Sequence, residues 1–249
     1  TYLLEALALF QQRGDKFETA RVLISLSWHA RWHVRHSEDF ERSVDYFQQA
    51  QQLLAGQRDD LRRGWLLVEL FEVYMGLGRV NEAFSNDAEQ QALYRRLNRP
   101  DLLRESLHWE SVLASRHSTL EHALRARYQC LELTKKLAGS AEGGTPVIDI
   151  GWNYFELAEI YRAAGDLQKA KGYFDMASEI FTAQDFVEGQ ELHRRGLGYT
   201  LLAEERFEEA EAIFRAHLSW ARGLLVPGEG AVTLTGRGST CIGLGRYQV

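Results

Sequence analysis

Small residues recur in matching contexts at Ser43, Ala83, Ala123, Ala170 and Ala210, separated by 40, 40, 47 and 40 residues. A period of this size marks a solenoid, in which one supersecondary unit is stacked many times over. Other columns keep the same register. Leu70, Leu157 and Leu197 share one slot, Tyr74 and Tyr161 another, and Gly78, Gly165 and Gly245 a third. Phe47, Phe174 and Phe214 form a fourth column, and Ala50 and Ala177 a fifth. Apolar residues fall at helical spacing within a unit: Leu157, Ile160, Tyr161 and Ala164, then Leu167, Ala170, Phe174 and Ala177. Gly165-Asp166 and Gly78-Arg79 interrupt them as turns. A single helix pair is too small to bury its own apolar face, so neighbouring pairs must cover it.

The clearest unit runs from Tyr154 to Ala177, with Leu157, Ala158, Tyr161, Gly165, Ala170, Phe174 and Ala177 as its anchors. This pattern resembles the tetratricopeptide repeat, in the longer, 40-residue branch of that family. The unit at 104–150 departs from it, with Glu110, Ser111 and Ala114 where Leu, Gly or Ala, and an aromatic are usual. The resemblance implies an all-α fold, a right-handed α-α superhelix of antiparallel helix pairs. The pairs are expected at 16–55, 60–98, 101–138, 146–184 and 186–223, as a single solenoid. Residues 1–15 read as the end of a truncated repeat and 229–249 as the start of another, so a fragment of a longer protein is expected. The Gly-rich segment 139–145 reads as a loop and a candidate hinge.

Composition narrows the function. A net charge of −6 gives a nucleic-acid partner no global electrostatic support. No run of apolar residues is long enough for a membrane helix. Cys130 and Cys241 lie far apart along the repeat, so a disulfide is not expected and a reducing cytoplasm is the simpler setting. Ser219, Ser239 and Cys241 have no adjacent His–Asp pair in sequence, so no catalytic residue is nominated and no cofactor is expected.

By resemblance to the family, first helices line a binding groove. The matching slots hold Trp28, Trp32, Arg35, Trp65, Glu72, His108, Trp152, Phe155, Glu159, Arg162, Arg195 and Tyr199. Four of the six tryptophans fall on this set, and tryptophan and arginine are enriched at binding hot spots. The same rings would also serve as packing between helices. The groove mixes charge signs and lacks the Lys- and Asn-rich pattern with which some family members clamp a peptide carboxylate.

One motif stands outside the repeat. His29, His33 and His36 are spaced by four and three residues on one helical stripe. Neutral imidazoles so placed can share a metal ion. Arg31 and Arg35 interleave with them and disfavour a dication.

The expected function is a non-catalytic binding module of a larger, bacterial signalling or regulatory protein. It would take a protein, a peptide or a small effector in the groove and act on neighbouring domains of its own chain. A pure assembly scaffold and a metal site on the histidine stripe are the alternatives.

Overall fold

The computed structural model describes residues 2–32, 37–54, 60–139, 146–223 and 227–244. Within its helices the side chains at 31–32, 37–40, 54, 60–62, 65, 72, 222–223, 227–232, 238 and 242 are not described. Apart from Gly139, the predicted hinge at 139–145 lies outside the described residues.

Among the described residues there are twelve helices and no strand. They are α1 (Tyr2–Gln12), α2 (Lys16–Trp32), α3 (Ser37–Leu54), α4 (Asp60–Gly76), α5 (Val80–Arg96) and α6 (Pro100–His117), then α7 (Leu120–Ala138), α8 (Ile148–Ala163), α9 (Leu167–Ala183), α10 (Val187–Ala203), α11 (Phe207–Gly223) and α12 (Pro227–Gly243). Their ends fall within a few residues of the periodic segments seen in sequence. The even-numbered helices are the first helices of the repeats and the odd-numbered ones the second.

Turn chemistry sets the helix ends. Gly14, Gly78 and Gly165 hold positive φ, at 68°, 71° and 82°. Asp15 and Asp166 follow two of these glycines and cap the next helix, accepting from the Glu18 and Lys169 amides at 3.1 and 3.2 Å. Thr119 does the same for α7, accepting from His122 N–H. Elsewhere Asn98, Asp185 and Glu205 take the left-handed position in place of glycine.

The chain forms two compact units, Thr1–Ser106 and Leu107–Val249. The division falls inside α6. In the first unit α2 packs on α3, and α4 on α5, while α2 also reaches α4. Ser27 and Ser43, both fully buried, bond reciprocally across the α2–α3 crossing: Ser27 Oγ to the Ser43 carbonyl at 2.8 Å, and Ser43 Oγ to the Ser27 carbonyl at 2.9 Å.

In the second unit α8 packs on α9, α10 on α9 and α11, and α12 on α11. First helices also meet one another, α8 with α10 and α10 with α12, as stacked repeats require. The small-residue column lies at these crossings, and Ala123, Ala170 and Ala210 are fully buried. The phenylalanine column fills the space between repeats. The ring of Phe174 lies so close to Gly196 that a Cβ there would meet it at 2.4 Å, and Phe214 sits against Gly236 in the same way, at 2.7 Å. Neither cysteine is in a disulfide; Cys130 is buried and Cys241 half-buried. No described helix is long and apolar enough to cross a membrane.

Candidate functional site

Four of the residues named from sequence come together on the first-helix face of the second unit. Glu159 and Arg162 lie on α8, Arg195 and Tyr199 on α10. Arg162 donates to both carboxylate oxygens of Glu159, Nε at 3.3 Å and Nη2 at 2.7 Å. The same guanidinium lies over the Tyr199 ring, 5.4 Å from its centroid. That ring in turn packs edge-on to Phe214 at 4.9 Å, which fixes its tilt. Burial pushes the Tyr199 phenol above its usual range, and the charges of Arg195 and Arg162 pull it back. The result is a half-buried aromatic surface with two guanidinium groups and one carboxylate held at its rim.

Other predicted residues are placed differently. Phe155 is buried against Phe174, with centroids 5.5 Å apart. Trp152 is half-buried and packs edge-on to Phe155, Phe181 and Phe186. Both rings serve the core between α8, α9 and α10. His108, on α6, faces the buried guanidinium of Arg127 at 3.0 Å. Trp28 is half-buried on α2 and His29 is exposed. The side chains of Trp32, Trp65 and Glu72, and all of Arg35, His33 and His36, lie outside the described residues, so the histidine stripe cannot be assembled from them. Among the described residues no three His, Cys, Asp or Glu side chains come together in a way that would hold a metal ion.

Arg127 occupies the slot filled by Phe174 and Phe214 in the following repeats, yet it is equally buried, with 1% of its surface exposed. Its Nη2 lies 3.6 Å from Glu156 and its Nη1 donates weakly to Asn153 at 3.4 Å. Asn153 also donates to Thr134 Oγ1 and to the Asp149 carbonyl. Burial lowers the Arg127 pKa, and Glu156 offsets part of that. Once the seven extra residues before α8 are allowed for, Glu156 stands where Gly196 and Gly236 stand in later repeats. An ion pair thus replaces the ring-against-glycine contact. In the first unit Asp87 fills the phenylalanine slot, bonded to Gln91 at 2.8 Å and to Ser106.

The sequence did not nominate a second feature, a cleft of about 860 Å³ between the second helices α7 and α9. Tyr173 of α9 inserts between Tyr154 and Tyr161 of α8, stacked on each at 6.1 and 5.5 Å. Lys135 lies over the Tyr154 ring and Lys169 over the Tyr161 ring, at 5.2 and 5.0 Å. The Tyr128 hydroxyl bonds to those of Tyr161 and Tyr173, at 3.0 and 2.7 Å. Burial and these two bonds push the Tyr128 phenol well above its ordinary range.

With this geometry in hand, known proteins can be compared. The fold is that of the tetratricopeptide-repeat proteins. A signal-transduction ATPase with numerous domains from Pyrococcus horikoshii, which carries a tetratricopeptide repeat sensor, aligns over 90% of this chain with a TM-score of 0.66 and 14% identity. A kinesin light chain-like repeat protein of Podosopora anserina aligns over 82% of the chain and 95% of its own length, at 0.64 and 18%. A Rap protein complexed with competence and sporulation factor aligns over 86%, at 0.61 and 15%. The chain spans 33% of the Pyrococcus protein and 56% of the Rap protein. No protein-family model and no curated protein matches the sequence. At these identities the likeness among repeat solenoids establishes the fold alone.

Proposed function

We propose that this chain is a non-catalytic repeat module that binds a peptide or protein segment on the first-helix face of its second unit. The observation that carries this is the convergence of Glu159, Arg162, Arg195 and Tyr199 from α8 and α10 on one surface. A half-buried tyrosine with guanidinium groups at its edge offers an apolar platform and charged donors together. Hot spots commonly have this composition. The Rap neighbour, complexed with competence and sporulation factor, supports the reading by showing the same fold with a factor bound. In a larger signalling protein, the bound segment would act by preferring one arrangement of the chain over another, since a ligand shifts an equilibrium only by its differential affinity.

The test is selection from a displayed peptide library, followed by titration of an enriched peptide against wild type and Arg162→Glu. Reversing this charge should weaken binding about tenfold or more, as expected for loss of a charge-assisted contact, with the melting temperature unchanged. Equal binding by the variant, or no peptide enriched by wild type, would overturn the proposal.

A further inference from the structure

We infer that the cleft between α7 and α9 binds a small organic anion, a carboxylate or phosphate carrying an apolar body. It lies on the second helices, on elements other than the α8–α10 surface, and stands independently of the peptide proposal. Its volume of about 860 Å³ is that of a small-molecule site. Three cationic side chains line it, Arg125, Lys135 and Lys169, against one acid, Glu132. Lys169 pairs with Asp166 at 2.8 Å but remains 59% exposed, so an incoming anion can share it.

The hydroxyl cluster adds a directed donor. Tyr161, Tyr128 and Tyr173 form a chain of three hydroxyls joined by two hydrogen bonds. Each hydroxyl has one proton to give, and two bonds use two of the three. One O–H of the three is therefore left to donate outward, and Tyr128 and Tyr173 both line the cleft, whose other polar groups are mostly cations. An anionic acceptor satisfies both. The stacked rings of Tyr154, Tyr173 and Tyr161 hold the chain rigid, so the donor is placed before a ligand arrives.

Gly172 supports the same conclusion. It lies inside α9, where glycine is a poor helix former. A Cβ added to it would meet nothing within 4 Å, so packing does not require its smallness. It lines the cleft, and its lack of a side chain keeps the space open. Met176, 40% exposed, gives the ligand's apolar body a surface beside it.

The probe is anilinonaphthalene sulfonate, an aromatic anion whose fluorescence rises in apolar clefts, titrated alongside the uncharged phenylnaphthylamine. Wild type should bind the sulfonate saturably and in preference to the neutral compound. Lys135→Gln/Lys169→Gln should weaken it about tenfold or more, the scale of lost charge-assisted bonds. Gly172→Leu, which fills the cleft from an open position, should abolish binding with helical content and melting temperature retained. If the lysine variant loses its fold, Gly172→Leu decides alone. Non-saturable binding, equal affinity for the neutral compound, or undiminished binding by folded Gly172→Leu would overturn the assignment.

Discussion

Gly165 and Gly172 lie seven residues apart, and the same substitution acts on them with opposite sign. At Gly165 the backbone is left-handed, with φ at 82°. A Cβ there clashes with no neighbour, but it strains the local chain, so Gly165→Ala should destabilise the protein by about 1 kcal/mol. Gly172 is helical and open, so Gly172→Ala should stabilise by about 0.5–1 kcal/mol. Urea unfolding of the two variants against wild type checks both. The first glycine was legible in sequence because it recurs on the repeat. The second has no counterpart in the other repeats and gave no signal.

Pairs of helices carry the next level of specificity. Phe174 with Gly196, and Phe214 with Gly236, join successive repeats through a ring against bare backbone. Arg127 with Glu156 makes the equivalent joint with charges. Arg127 is buried while 34% of the Glu156 side chain is exposed, so removing the carboxylate leaves a buried guanidinium without compensation, whereas replacing both by apolar packing is often neutral or stabilising. The single variants should each destabilise, Glu156→Gly by removing the carboxylate beside the buried guanidinium and Arg127→Phe by removing the partner of His108 and Asn153 and setting a ring against the Glu156 side chain. Together they restore the joint used by later repeats, and the double variant should recover about 1–3 kcal/mol relative to the sum of the singles. A double-mutant cycle by chemical denaturation measures this. The phenylalanine column and the small-residue column were readable because each repeats its own chemistry. Arg127 and Asp87 break the column's chemistry while keeping its position, and the seven-residue insertion hides the match between Glu156 and Gly196. Register alone put Glu159, Arg162, Arg195 and Tyr199, the residues of the proposed surface, into one set. The tyrosine cleft was not, because Tyr128 and Tyr173 belong to second helices, where periodicity marks them only as partly covered faces.

For the molecule as a whole, acid sensitivity follows from a histidine within the stack. His193, on α10, faces the Phe174 ring at 6.0 Å, and burial lowers its pKa. Asp175 pulls the other way and Arg194 reinforces the shift. In the unfolded chain it titrates near 6.5, so between that value and the lower folded one the unfolded chain binds the extra proton. His193 therefore lends stability above about pH 6.5, and that stability is lost as the pH falls through the window. His193→Gln should flatten the change in denaturation midpoint between about pH 7.5 and about pH 5.5 relative to wild type. An unchanged slope would show that the imidazole is not held neutral by its burial.

The unequal placement of the two cysteines gives the solenoid a built-in clock. Cys241 is half-buried within α12, while Cys130 is sealed beside Arg127 with 1% of its surface exposed. A thiol reagent added to the native protein therefore meets Cys241 first. Its later reaction at Cys130 waits on the parting of α7 from its neighbours and so times that opening, without any label having to be engineered in.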